Sequence, residues 1–521
     1  MSCAYALMLP VRGAEIYTIV LLPEKEGKFP TVLKRSPYVD AWQDKSDEEI
    51  LAAESRANHA WTDAGYAVVY QHCRGRGRSS GDCIPYLNER EDGLAMQEWV
   101  RRQPFYNGEL FLSGGSYCCS VHYTTAPFAP DIRGAVFSVQ DTERYNCNYR
   151  NGFFKIGLHG GWYVRMYKHK TMPEKAYTAD SYRMLPLSDF SERVLGEHAP
   201  DLDGVFAHPE KDDPFWDTHL GGGETRGVLN RLPFPALIVS AFFDIYTGGI
   251  FDMWNAMEPA TREKCALLVT PYSHDFFKVT NQPVEFENGL VGEAFPDYEI
   301  RWFDAIRGKG KFPFAQNRVT YYAPFSGGWR CGDFAPGRTV MTVPFGNETL
   351  SYDYDPMNPA TFRGGLSVSF AGTAYQDPPG QRQDILTFYS DLFDADTMII
   401  GKMAAHLTVR SDCEDTCFYI RVSLVTPSGD YGLRDDIHAL SEIAPEYVPG
   451  TDVGLDFSFD EIAVLAHRGE KLRIDVSSSS MPHYIPHTNY RGLFSVQTKT
   501  RTAHNTVVCA SSRLTVPTEK E

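Results

Sequence analysis

Three residues that together could carry acyl transfer follow one another along this chain, each shortly after an apolar run. Ser116 closes Leu110-Phe111-Leu112-Ser113-Gly114-Gly115-Ser116-Tyr117, a strand-like stretch entering a small-residue turn and then a helix-like segment from Cys118 to Phe128. Such a turn lifts a hydroxyl clear of a sheet. Asp244 follows Pro235 to Ala241, and His274 follows Cys265 to Thr270. A serine hydroxyl is a poor nucleophile at neutral pH and needs a base to take its proton. An imidazole titrating near ~6.5 can take that proton and return it to the leaving group. A carboxylate fixes the ring tautomer and stabilises the imidazolium. The types and their order therefore point to a Ser-His-Asp serine hydrolase. The backbone N–H of Tyr117, next after the nucleophile, is placed to donate to the oxyanion that forms.

The elements that must hold these groups alternate in type. Glu15 to Leu22, Thr31 to Lys34, Ala67 to Gln71, Leu110 to Ser113 and Gly134 to Gln140 read as strands. Ser46 with Glu49 makes a capping box, predicting a helix that runs toward Gly65. Glu89 to Arg102 carries Ala95, Met96, Trp99 and Val100 at helical spacing. This alternation predicts an α/β fold with a largely parallel sheet, and the order Ser, Asp, His is that of the α/β-hydrolases. Residues 141–232 break the strand pattern with charged and aromatic residues, and 233–335 resume it. The expected layout is a catalytic domain over 1–140 and 233–335, a helical cap over 141–232, and a jelly-roll β-sandwich over 336–521. That last stretch shows short β-rich runs between turns: Leu366 to Phe370, Ile385 to Tyr389, Phe418 to Val425, Lys471 to Val476 and Thr506 to Ala510.

Composition narrows the partners. The chain has 521 residues and a formal net charge of −17, so an acidic surface disfavours nucleic acid and anionic membranes. No apolar run approaches the ~20 residues of a membrane span. The first 22 residues show no basic region followed by an apolar core, Ile16, Thr18, Val20 and Leu22 alternate like a strand of the mature fold, and the expected location is cytoplasmic. The 11 cysteines lack zinc-like spacing and are expected to be free thiols. No metal or organic cofactor is implied, and the sequence leaves formation of a homo-oligomer open.

With these residues in place, the chain resembles the CocE/NonD hydrolases, the cocaine-esterase-like branch of the X-Pro dipeptidyl-peptidase S15 group. Gly114-Gly115-Ser116-Tyr117 is similar to the start of that family's Gly-x-Ser-Tyr-x-Gly elbow. Arg35-Ser36-Pro37-Tyr38 resembles the segment carrying its oxyanion tyrosine, so the resemblance implies that Tyr38 is the second oxyanion donor. Gln71 to Gly81, Pro271-Tyr272-Ser273-His274, Arg301-Trp302-Phe303-Asp304 and Tyr354-Asp355-Pro356 through Gly365 match further segments, in order. Two positions depart: Cys119 stands where the family prefers glycine, and His72 where it prefers aspartate.

Three features are set aside. His159-Gly160-Gly161-Trp162 is similar to a lipase oxyanion motif, but it follows the nucleophile strand instead of preceding it and reads as cap structure. Arg74-Gly75-Arg76-Gly77-Arg78 lacks the Gly-Lys-Ser/Thr of a phosphate loop and is expected to pair locally. Cys118 and Cys119 lie off the apex of the turn and read as packed thiols. The resemblance implies that relatives cleaving α-amino acyl esters hold the ammonium on acidic residues just after the triad aspartate; Asp244-Ile245-Tyr246-Thr247 has none there, which favours an uncharged, apolar or aromatic acyl group in a pocket lined by Tyr246 and Trp162. The leading expectation is an enzyme that cleaves carboxylic esters, with amides as further substrates. An X-Pro dipeptidyl peptidase or aminoacyl peptidase is the alternative, and a non-catalytic binding protein using the jelly roll is a third.

Overall fold

A ten-stranded mixed sheet carries the first part of the chain. The structure is a computed structural model and describes residues 3–167, 181–278, 282–366 and 372–521. In chain order the strands are β1 (Cys3–Val11), β2 (Ala14–Leu22), β3 (Phe29–Ser36), β4 (Ala67–His72), β5 (Tyr106–Gly115) and β6 (Ile132–Ser138). A two-stranded hairpin of β7 (Tyr149–Arg150) and β8 (Phe153–Phe154) follows, then β9 (Ala236–Ala241), β10 (Ala266–Thr270), β11 (Val319–Ala323) and β12 (Gly328–Gly332). The sheet order is β1-β2-β4-β3-β5-β6-β9-β10-β11-β12. From β4 to β11 every neighbouring pair is parallel, with antiparallel pairs only at the two edges. Parallel strands must be covered on both faces, and the fully buried runs in β9 and β10 reflect this.

The local signals behave as their chemistry demands. Ser46 and Glu49 bond reciprocally at 2.9 and 3.2 Å and start α1 (Asp47–Ala57). The helical stretch then breaks at Asn58, resumes as α2 (His59–Asp63), and stops at Gly65 with φ 87°. The third helix, α3, spans Glu89–Arg101 and buries Met96 and Val100. The arginine-glycine loop pairs locally: Arg74 with Asp92 at 2.6 Å, Arg76 with Asp40, and Arg78 with Asp47 at 3.3 Å. All 11 cysteines are free thiols.

Between β6 and β9 lie short helices and the β7–β8 hairpin. The segment is the helical cap expected from sequence, with a hairpin added whose two-residue strands are too short to show alternation. Strand β1, also unanticipated, holds an edge register with β2 along its whole length. Beyond Thr339 the chain forms two antiparallel sheets of eight and four strands, a β-sandwich. The expected strand Leu366 to Phe370 lies, beyond Leu366, outside the described residues.

Arg150 fastens the cap hairpin to the sandwich. Its guanidinium donates to Asp436 at 2.8 Å, to Asp460 at 2.9 Å and to the Ser458 carbonyl at 2.6 Å. Burial alone would raise the Asp436 carboxyl, but Arg150 and His438 hold it at about 2. Arg150→Ala strips two buried carboxylates of their partner. The expected loss of unfolding free energy is about 3–5 kcal/mol, read from urea denaturation. A loss under 1 kcal/mol would show that water replaces the guanidinium.

Candidate active site

Ser116 sits at the junction of β5 and α4 (Tyr117–Tyr123) with φ 58° and ψ −133°. A non-glycine residue there is strained by about 1–3 kcal/mol, and the surroundings hold it. The Ser116 N–H donates to the Ser138 carbonyl on β6 at 2.9 Å, and its own carbonyl accepts from Cys119 and Ser120 in the first turn of α4. Gly114 permits the tight turn, since a Cβ there would lie 2.1 Å from the Cys118 carbonyl oxygen. Cys119 fits fully buried without opening the elbow.

The two strands after the cap deliver the other groups. Asp244 ends a short turn beyond β9 and His274 one beyond β10; His274 Nδ1 meets Asp244 Oδ1 at 3.0 Å. Asp244 is fully buried and His274 nearly so. Burial works against the imidazolium, but attraction to the Asp244 carboxylate and the hydrogen bond that Nδ1–H donates to it outweigh it and raise the His274 pKa. Burial raises the Asp244 carboxyl, opposed by His274 and by the N–H groups of Tyr246 and Ile245. With Nδ1 committed to Asp244, Nε2 is the ring nitrogen left for proton transfer. His274, Ser116 and Tyr38 line one cavity of about 420 Å³.

Tyr38 lines the same cavity as Ser116, and its hydroxyl accepts from Trp162 Nε1 at 3.2 Å. Burial, reinforced by Cys118, pushes the phenol up to about 12, so it is protonated at neutral pH and able to donate. Tyr117 is the first residue of α4, where an N–H has no partner within its own helix. Its side chain is fixed independently: the hydroxyl donates to Glu89 at 3.0 Å and accepts from the Tyr86 N–H at 2.6 Å. Trp162, Tyr86 and Tyr117 form a stack, with Tyr86 4.4 Å from Tyr117 and 5.7 Å from Trp162. Tyr246 lies buried with its ring 5.8 Å from His274. Of the seven residues singled out from sequence, Ser116, Tyr38 and His274 line this cavity; Asp244 bonds to His274, Trp162 bonds to Tyr38 and packs on Tyr117, and Tyr246 packs beside His274.

Two family models divide the chain. Residues 12–275 match the X-Pro dipeptidyl-peptidase (S15 family) model, and residues 296–515 match the X-Pro dipeptidyl-peptidase C-terminal non-catalytic domain. The chain belongs to the S15 family. This S15 protein, a hydrolase, is 24% identical to the cocaine esterase of Rhodococcus sp. (strain MB1 Bresler), over 94% of this chain and 93% of that one. Its fold is similar to that of an aminopeptidase from a marine sediment archaeon, Thaumarchaeota archaeon (TM-score 0.83, 18% identical, 99% of this chain and 96% of that one). An α-amino acid ester hydrolase is similar at TM-score 0.81, 18% identity and the same coverage.

Some of what surrounds the S15 site escaped the sequence reading. Lys34, Ser113 and Glu299 line the cavity beneath Ser116. Lys34 and Ser113 sit on β3 and β5, and strand alternation could have aimed them at one face. Asp141 is a buried carboxylate pushed up to about 7 by burial, held by Asn146 Nδ2 at 3.3 Å and the Glu143 N–H at 3.2 Å. His72 replaces the family's aspartate without leaving the loop unanchored, because its Nδ1 accepts the Arg78 N–H at 3.3 Å. Burial and Arg78 lower its pKa to about 3, keeping it neutral.

Proposed function

We propose that this chain is a serine carboxylic-ester hydrolase working through an acyl-enzyme, with Ser116, His274 and Asp244 as its triad. The observation that carries this reading is the convergence of the Asp244–His274 hydrogen bond, the strained Ser116 and the Tyr38 hydroxyl on one cavity. Ser116 Oγ attacks the acyl carbonyl while His274 Nε2 takes its proton. Tyr38 Oη and the Tyr117 N–H hold the developing oxyanion. Collapse breaks the bond to the alcohol, which leaves with the proton from His274. Water repeats the sequence and releases the carboxylic acid, with Asp244 ionised throughout.

Removing one oxyanion donor costs about 2.7–4 kcal/mol of barrier, or ~10²–10³ in rate. Tyr38→Phe is expected to lose that much kcat on a p-nitrophenyl ester, with KM little changed. Turnover near wild type would remove Tyr38 from the oxyanion hole.

A second reading, cleavage of α-amino acyl substrates, draws support from Asp141, whose charge reaches Tyr246. Against it, Asp141 packs on the start of the helix Thr247–Ala256, where a Cβ on Gly249 would lie 1.9 Å from its carboxylate. A panel of p-nitrophenyl esters set beside Gly-Pro-p-nitroanilide, with Ser116→Ala as blank, tests the choice. Preference for simple acyl esters is expected; preference for the anilide would overturn it.

A further inference from the structure

Under the cap, beside Trp162, one histidine has no hydrogen-bond partner among the described residues. His159 lies in a single π turn, Ile156–Gly160, which runs straight into the helix Gly161–Met166. Turns of this kind are rare and occur often at functional sites. Only 5% of His159 is exposed, yet neither Nδ1 nor Nε2 has a hydrogen-bond partner among the described residues. A neutral imidazole carries one donor and one acceptor, and burying both unpaired costs free energy that natural proteins rarely tolerate without a reason.

The position of the ring suggests the reason. Its centroid is 5.8 Å from Trp162, the residue whose indole N–H donates to the Tyr38 hydroxyl. The turn is pinned from two sides: the Gly157 N–H donates to the Pro482 carbonyl of the sandwich at 2.9 Å, and the His159 N–H to the Lys155 carbonyl at 3.0 Å. The backbone that carries His159 is therefore fixed, and its ring is buried beside Trp162.

We propose that His159 is a specificity-determining contact of the acyl pocket, selecting acyl groups that bear an uncharged hydrogen-bonding substituent such as a hydroxyl. The proposal rests on the ester-hydrolase reading above and names the substrate class within it. The charge state of the ring fits this role. Burial, with the positive charges of Lys155 and His274 added, lowers its pKa to about 3, so the ring is neutral wherever the enzyme works. A neutral imidazole offers no negative charge to hold an ammonium, whereas a hydroxyl can satisfy either ring nitrogen. Trp162 and Tyr246 supply the flat apolar walls that an aromatic acyl group would lie against.

The test compares p-nitrophenyl phenylacetate with its 2-, 3- and 4-hydroxy analogues. Wild type should favour the best hydroxylated ester by about tenfold or more in kcat/KM. His159→Phe should bring that ratio close to one, and His159→Gln, which keeps a donor and an acceptor, should restore part of it. A ratio unchanged in His159→Phe would overturn the proposal. So would a parallel fall on all four esters with a lowered Tm, which would mark His159 as a packing residue. If wild type cleaves none of the esters, the ester-hydrolase reading fails first and takes this inference with it. Cleavage without discrimination defeats the inference alone.

Discussion

Ser116→Ala is expected to lower kcat on p-nitrophenyl esters by about 10⁶-fold, the scale on which removal of a triad nucleophile acts in Ser-His-Asp enzymes. A residual ~10³-fold advantage over water should persist, because the oxyanion donors and the binding surface remain. Covalent labelling by a fluorophosphonate should vanish in the same variant. The fold should survive, since alanine can occupy the backbone conformation that serine holds at φ 58° and the elbow is fixed by main-chain bonds to Ser138 and into α4. The nearest rival nucleophile is Cys118, which lines the same cavity. Burial pushes its thiol up to about 11, so the thiolate that would do the chemistry is scarce at neutral pH. Labelling that persists in Ser116→Ala would reject the serine mechanism and turn attention to that thiol.

Why the three residues proposed as the triad could be picked out without coordinates, while their surroundings could not, follows from the range of the interactions involved. A strand followed by small residues and a helix is a local arrangement, and so is the capping box at Ser46. Asp244 and His274 each follow a continuous apolar run, and parallel strands sharing a sheet bring their ends to the same edge. The Trp162–Tyr38 hydrogen bond joins residues 124 positions apart, and no periodicity encodes it. The same holds for Tyr86, whose φ of 66° and stacking between Tyr117 and Trp162 arise from packing alone. His159 shows the other side of this limit. Its motif reads only as cap structure; the role proposed for it rests on two ring nitrogens left unpaired among the described residues, which a sequence does not display.

Asp244→Asn should separate positioning from simple charge. Asparagine preserves the shape of the group but offers His274 a choice of amide oxygen or N–H, and the wrong tautomer leaves Nε2 protonated where a base is needed. A fall in kcat of about 10⁴ is expected on that ground. The pH profile carries the stronger test. In wild type the carboxylate of Asp244 overrides burial and raises the His274 pKa above its ordinary value. The reaction needs neutral imidazole, so kcat/KM should climb with pH through that raised pKa and level off above it. In the Asp244→Asn variant the anion is gone and burial, which disfavours imidazolium, is left unopposed by its largest counterweight. The acid limb should therefore move to lower pH even as the plateau drops. An acid limb that stays in place while the rate falls would mean that the group titrating in the wild-type enzyme is not His274, and the pairing at 3.0 Å would then have to serve the fold instead of the reaction.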